Sequence, residues 1–393
     1  MFGSGISLPA GLPNIGEITH EILHNPDVIR DSDSVYRIYP PRIVDKSDIL
    51  YRPPEKDPYR KEALIVQEFV RIINCEINRI WSVRLPELAS FNYEDIYYVI
   101  EQISSHERLK IPNPVIQPFI DFLIEEYPII DMANKISPHM GKKGDFCIGQ
   151  IAEQACLYIQ CIVSQMLWKD LDGSTDYTYL CEFFNPFPYT FNGHVDIFTL
   201  NHDRLLESCL RKIGLEFSDG YGKELEDGRR IWTPKTYQNK KPVKLFKLHG
   251  GLDWYYDSQN YIHVRGSRIA YNIAPNILAG TFNKIQDYTT RGIFNWLYCE
   301  FRRRLRLANS LVVCGYGFGD YGIEAAIWEW LHLNKNKKNR IIIIHKEPKK
   351  LKFIGLILSG KYFKELKEQM ILIKKLIDME ESVTLEEVLK KIA

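Results

Sequence analysis

Apolar residues recur every three to four positions over Arg60–Val83, Tyr93–Ser104, Val115–Tyr127 and Phe146–Trp168. That spacing places them on one face of a helix and predicts a helical region across about residues 17–190. Pro40-Pro41 and Pro53-Pro54 punctuate it as connectors. Asn92 is placed to cap the second helix, with Glu94 and Asp95 in its first turn, where the helix dipole favours acids. From about residue 193 the pattern changes to short apolar runs, each ending in a glycine or polar cluster. Val195–Leu200 runs into Asn201-His202-Asp203 and then the amphipathic Arg204–Ile213. Val243–Leu248 runs into His249-Gly250-Gly251. Ser310–Cys314 runs into Gly315-Tyr316-Gly317-Phe318-Gly319-Asp320 and then Ile323–Leu333, and Arg340–Ile344 is a further β-branched strand. Strand, loop and helix in repetition predict an α/β fold on a parallel sheet, with ligands at the carboxyl ends of its strands. Lys361–Ala393 reads as one or two amphipathic helices that pack on the sheet or mediate assembly.

Composition narrows the function classes. The 393 residues are 45% hydrophobic and 26% charged, with a net charge of +1, so a nucleic acid or acidic membrane would need a local patch. No direct nucleic-acid binding and no membrane contact is expected. No apolar run approaches the roughly 20 residues that span a bilayer, and Met1–Gly5 lacks the pattern of a secretion signal. The eight cysteines form no C-x-x-C pair, as expected of reduced thiols in a cytoplasmic protein.

Four clusters carry candidate chemistry. Gly3-Ser4-Gly5-Ile6-Ser7 could form a phosphate cradle, since glycines admit a pyrophosphate to backbone N–H groups; taken alone it reads more readily as a flexible terminus. A loop of this kind follows a strand, and only Met1 and Phe2 precede it, so either the true start lies upstream or the first strand is missing. Asn201-His202-Asp203 sets a carboxamide and a carboxylate two residues apart at a strand end, which suits a ligand crevice; Asp203 as a plain helix cap is the competing reading. His249 suits proton transfer near neutral pH, and Gly250 and Gly251 are expected to leave space for a substrate beside it. Gly315–Asp320 has more glycine than a strand-to-helix turn with a capping aspartate needs, which favours binding of a ribose or phosphate.

In this order the clusters resemble the NAD-binding core of the sirtuins. The family's G-A-G-x-S loop with G-x-P, its T-Q-N-x-D and H-G motifs and its late G-x-S turn correspond to Gly3–Ser7 with Gly11-Leu12-Pro13, Thr199–Asp203, Leu248-His249-Gly250 and Gly315-Tyr316-Gly317. The wording around Thr199–Glu207 and Gly315–Asp320 is most similar to the bacterial antiphage branch, whose sirtuin-like domains destroy NAD⁺. The resemblance implies a Rossmann-like sheet from residues 1–16 and 193–345, a large inserted α-helical domain at 17–192 and a C-terminal helical segment at 346–393. It implies an NAD⁺ glycohydrolase in which Asn201, Asp203 and His249 act on the substrate. Gly3, Ser4, Gly5, Ser7, Pro13, Thr199, Gly315, Tyr316 and Gly317 would hold it. It further implies a homo-oligomer paired with a HerA-type ATPase.

The departures point away from protein deacylation. Deacetylase sirtuins place four zinc-binding cysteines shortly after the catalytic histidine, whereas no cysteine lies between His249 and Cys299, so no metal is expected. Asn14-Ile15-Gly16 replaces the D-F-R that follows G-x-P, Leu200 replaces a glutamine that contacts the ribose, and Gly317 stands where a serine is common. An NAD-dependent deacylase and a non-enzymatic nucleotide-binding scaffold are the alternatives.

Overall fold

A computed structural model describes residues 1–30, 35–38, 58–84, 91–107, 113–136, 147–168, 175–186, 195–258, 260, 262–266, 275–280, 284, 288, 292–333, 339–351, 368–375, 377 and 383–392. The proline pairs at 40–41 and 53–54 lie outside the described residues. The amino-terminal half is helical: α1 Ile15–His24, α2 Pro58–Arg84, α3 Tyr93–Glu107, α4 Gln117–Glu126, α5 Ile129–Ile136, α6 Cys147–Leu167 and α7 Thr178–Phe184. A short antiparallel hairpin of β1 Val28–Arg30 and β2 Tyr36–Ile38 lies among them. Two local devices open helices, the first as the sequence suggests and the second not anticipated by it. Asn92 Oδ1 accepts from Glu94 N at 2.8 Å, and Asn14 and Glu17 form a reciprocal capping box at the start of α1. Helices α1 to α6 bury one continuous core, in which Ile22, Phe69, Ile73, Ile100, Ile151 and Tyr158 are fully enclosed. Helix α7 instead packs against the sheet.

The second half supplies β3 Val195–Thr199, α8 Leu205–Lys212, β4 Phe217–Ser218, β5 Tyr221–Glu224, β6 Arg230–Trp232, β7 Val243–Lys247, β8 Trp254–Asp257 and β9 Ile262–Arg265. These are followed by α9 Gly292–Leu307, β10 Ser310–Cys314, α10 Tyr321–Leu333, β11 Arg340–Ile344, β12 Met370–Ile373 and α11 Leu385–Ile392. Strands β3, β7 and β4 pair in parallel, as do β10, β11 and β12. Phe2 joins the two groups through parallel bridges to Thr199 and Cys314. Its N–H donates to Phe198 O at 2.8 Å and its carbonyl accepts from Leu200 N at 3.0 Å, while Gly3 N donates to Cys314 O at 3.0 Å. The expectation of a missing first strand is therefore corrected: Met1 and Phe2 make the pairings of a central strand between β3 and β10.

The parallel strands are buried on both faces, so their apolar runs are nearly continuous. Phe198, Phe246, Ile341 and Ile343 face α9 and α10, while Ile197, Leu245, Ile342 and Ile344 face α7, α8 and α11. The architecture is thus a mixed α/β fold with a Rossmann-like parallel sheet. Two parts differ from the sequence reading. Met370–Ile373 is a strand paired with β11, where helix was expected; among the described residues after 361 helix is confined to Glu368 and α11. A four-residue apolar run does not itself choose between helix and strand, and pairing with a neighbour decides it. Strands β5, β6, β9 and β8 also form an antiparallel sheet that the pattern did not suggest.

Candidate functional site

The carboxyl ends of Phe2, β3, β7 and β10 bring all four clusters together, the first meeting the second and the fourth directly and His249 meeting Asp320. Gly3-Ser4-Gly5 and Gly315 pack backbone against backbone, with Gly5 N donating to Gly315 O at 2.9 Å. A Cβ on Gly3 would lie 2.7 Å from Tyr316 Cα, and one on Gly315, whose φ is +62°, 2.7 Å from Ile6 N. These glycines are thus needed for the loops to approach each other, a cause the sequence reading did not include. Gly317 and Gly319 are different: nothing would meet a Cβ at either within 4 Å. Tyr316 is buried, and its hydroxyl sits 3.1 Å from Asp320 N as acceptor. Ser4 is exposed at the start of a single 3₁₀ turn, and Pro13 is half-buried just before the α1 cap.

A relay of hydrogen bonds ties the first loop to the end of β3. Asn201 Nδ2 donates to Gly3 O at 3.1 Å and to Ser7 Oγ at 3.0 Å, and Ser7 Oγ donates to Asp203 Oδ2 at 2.8 Å. Since a carbonyl only accepts, the Asn201 atom facing Gly3 is its NH₂ group. Both donors are therefore spent inside the protein, and among the described residues no donor reaches Oδ1. Thr199 Oγ1 accepts from Asn201 N at 3.1 Å, fixing the turn. Asp203 also accepts from Leu205 N at 2.9 Å, so it serves the first turn of α8 as well as the relay. Burial raises the Asp203 carboxyl above its ordinary range, against the pull of Lys247, Leu205 N and Ser7. Leu200 points into the apolar core.

His249 lies beside this relay, its ring 6.1 Å from that of His202. Its Nε2 is 2.9 Å from Asp320 Oδ2 and 2.7 Å from the Tyr288 hydroxyl, which itself donates to Asp320 Oδ2 at 2.9 Å. Burial lowers the His249 pKa, Lys284 lowers it further, and Asp320 opposes both. His202 is pushed well below its usual value, by burial first and then by the charges of His249, Lys284 and Lys247. Burial alone would raise Asp320; the hydrogen bond from His249, with Lys284 and Ile323 N, holds it below the ordinary carboxylate range. Lys284 is itself buried and paired at 3.0 Å with both oxygens of Glu94 from α3, so the helical region reaches this site.

The space expected at Gly250 is taken. A Cβ there would stand 2.3 Å from Asn276 O, and Gly250 forms a bridge with Ile277. Gly251 is flanked at 3.0–3.1 Å by Lys247 and Trp254. Gly250 thus admits the Asn276 backbone and Gly251 the side chains of Lys247 and Trp254.

Where the sirtuin resemblance would place zinc cysteines, β8 and β9 form an antiparallel hairpin held by ion pairs. Arg265 meets Asp253 at 2.6 Å, Asp219 at 2.6 Å and Glu207 at 3.3 Å, and Lys247 meets Glu207 at 3.1 Å. The Lys247 ammonium also donates to the Asp203 carbonyl. Among the described residues no three His, Cys, Asp or Glu side chains are grouped as a metal site.

Residues 195–366 match the family model described as the SIR2-like domain. This stretch is a sirtuin-like domain. Members of that family bind NAD⁺ and are NAD-dependent enzymes. No curated protein matches the chain. Among the described residues no helix is long and apolar enough to cross a membrane.

Sequence reasoning missed Tyr288 and Lys284, placed Glu94 only in the first turn of its helix, and gave Asp320 only the role of a capping aspartate after a glycine-rich turn. Asp320 carried a faint signal, a carboxylate at the head of a helix after a strand-end loop, and it does accept from Ile323 N at 3.0 Å. Tyr288 and Lys284 carried none.

Proposed function

We propose that the sirtuin-like domain hydrolyses NAD⁺ to nicotinamide and ADP-ribose. The observation that carries this reading is a pair of acceptors: Asn201 Oδ1, which no donor among the described residues reaches, and His249 Nδ1, since the described partners of that ring are all on Nε2, with the ring of His202, next to Asn201, 6.1 Å from that of His249. Two acceptors beside a glycine-rich strand-end loop suit a sugar with hydroxyl groups and an attacking water. In the reaction the C1′–N bond breaks, its electron pair stays with the pyridine nitrogen, and nicotinamide leaves neutral. Water adds to C1′ and one proton is released. Asn201 Oδ1 accepts from the water or a ribose hydroxyl and orients it, and His249 takes the proton. Asp203 grips the nicotinamide carboxamide and Ser4 faces the pyrophosphate. Gly315 to Gly317 line the adenosine half, the open side of Gly317 leaving room for it.

The absence of cysteine between His249 and Cys299 favours hydrolysis over deacylation, because the zinc module that completes a peptide cleft has no ligands there. By its resemblance the enzyme is an NAD⁺-depleting effector of antiphage defence, held in check within a homo-oligomer and by a HerA-type ATPase. Purified protein incubated with NAD⁺, with and without an acylated peptide, tests the reading through its products. Nicotinamide and ADP-ribose without peptide are expected. Acyl-ADP-ribose appearing only with peptide would establish the deacylase, and unconsumed NAD⁺ that nonetheless binds would establish a scaffold. Co-migration with the ATPase on size exclusion tests the partner.

A further inference from the structure

We propose that Asp320, braced by Tyr288, is a positioning residue that fixes the tautomer of His249 and turns Nδ1 toward the substrate. The inference rests on the hydrolase reading for its kinetics but not for its geometry. Asp320 Oδ2 lies 2.9 Å from Nε2, and an ionised carboxylate only accepts, so Nε2 carries the hydrogen. The neutral ring then has its lone pair on Nδ1, which no described group meets. A base needs that lone pair, and the opposite tautomer would present an N–H where a proton must be received.

The surroundings hold Asp320 and Tyr288 in place. Asp320 Oδ1 accepts from Ile323 N at 3.0 Å, and Asp320 N donates to the Tyr316 hydroxyl at 3.1 Å. Tyr288 is fully buried and stacks on Tyr298 with ring centres 4.5 Å apart and planes 7° apart. Its ring lies against Gly322, where a Cβ would approach Tyr288 Cε2 to 2.9 Å. The charged and titratable groups around His249 are His202 from the β3 loop, Lys284 with its partner Glu94 from α3, and Asp320 with Tyr288. Lys284 and burial oppose protonation while Asp320 and Glu94 favour it, so the ring is neutral at neutral pH.

A purely structural role for Asp320, capping α10 and satisfying a buried histidine, gives a different result in one variant. Asparagine caps a helix as well as aspartate does, but its side chain meets Nε2 with either a donor or an acceptor. In D320N the kcat for NAD⁺ should fall on the order of 10³-fold, with KM within about threefold and the thermal midpoint within a few degrees. The acid limb of the kcat profile should move to lower pH, because the carboxylate that favours imidazolium is gone. Y288F, which keeps the stacked ring and removes one donor to Asp320, should lose less than about tenfold in kcat. Selective ¹⁵N-histidine labelling reads the tautomer without turnover: His249 should carry its hydrogen on Nε2 in the parent protein and lose that preference in D320N. An Nδ1–H tautomer in the parent, or an unchanged tautomer in D320N, overturns the proposal. So does wild-type kcat in D320N of an active parent. If the parent does not consume NAD⁺ but the tautomer shifts as stated, the positioning role stands and the hydrolase reading falls.

Discussion

Two buried polar regions lie on either side of the Asn201–Asp203 turn, and they differ in what they leave over. In one, Glu207, Lys247, Arg265, Asp219 and Asp253 answer one another's charges and tie the antiparallel sheet to the parallel one, with Asp253 Oδ1 the atom left without a donor among the described residues. In the other, Asn201 and His249 are each held by one end and keep an acceptor that no described group meets. Burying polar groups stabilises only when they are paired, so the first arrangement is what a fold requires. The second pair of acceptors lies at the carboxyl ends of parallel strands, where such sheets bind their ligands.

Removing one charge from the closed network should have the largest effect on stability. K247M leaves Glu207, which is fully buried, without one of its two cations, and should cost about 3–5 kcal/mol of folding stability. A denaturant midpoint equal to that of the parent would break the comparison. H249A and N201A should do the reverse: NAD⁺ turnover falls about 100-fold or more, near 2.7 kcal/mol of barrier, while the protein stays folded. A fluorescent NAD⁺ analogue reads the rate, and N201A should still bind. Unchanged turnover in H249A would remove the histidine from the chemistry.

The glycines sharpen the contrast at a smaller scale. G315A puts a methyl group in a left-handed backbone, 2.7 Å from Ile6 N, and should cost about 1–3 kcal/mol and lower the thermal midpoint. G317A meets nothing in the protein and should leave that midpoint unchanged, while KM for NAD⁺ rises if the adenosine half lies there. Equal melting of the two variants would show that the loops do not need their close approach.

The smallest effect is a slope with pH. His202 and His249 both have folded pKa values below the ordinary 6.5, chiefly through burial. The unfolded chain therefore takes up protons that the fold refuses. Their contribution to stability is complete above about pH 6.5 and is lost as pH falls below it. Asp203, raised by burial, works in the opposite direction: its contribution is present at low pH and lost as pH rises through its folded value. The thermal midpoint should be level above about pH 7 and decline below about 6.5, with a shallower decline in H202Q. A midpoint unchanged down to about pH 5.5 in the parent would contradict the assignment of neutral, buried rings.

Much of the fold was legible because its signals are local. Helical spacing marked α2, α3, α4 and α6, and β-branched runs marked β3, β7, β10 and β11. Asn92 declared its cap. The carboxyl-end clusters at Asn201, His249 and Gly315 were visible as polar punctuation after apolar runs. What misled was the assignment of reasons. Gly250 looked like space for a substrate and is space for the Asn276 carbonyl. Gly3, Gly5 and Gly315 looked like a phosphate cradle and also serve a backbone crossing. Glycine records that something comes close, without saying whether it is a ligand or the chain itself.

Periodicity, caps and turn residues are properties of a few consecutive residues, so the sequence by itself determined the alternation of elements and the polar loops that end the strands. Partners distant in sequence have no such trace. That Phe2 completes the sheet between β3 and β10, that Met370–Ile373 pairs with β11, and that Glu94 from α3 meets Lys284 beside His249 were decided only when the chain closed on itself. Short strands and lone side chains carry too little local free energy to choose their state. The surface they bury and the hydrogen bonds they complete in the folded protein choose it for them.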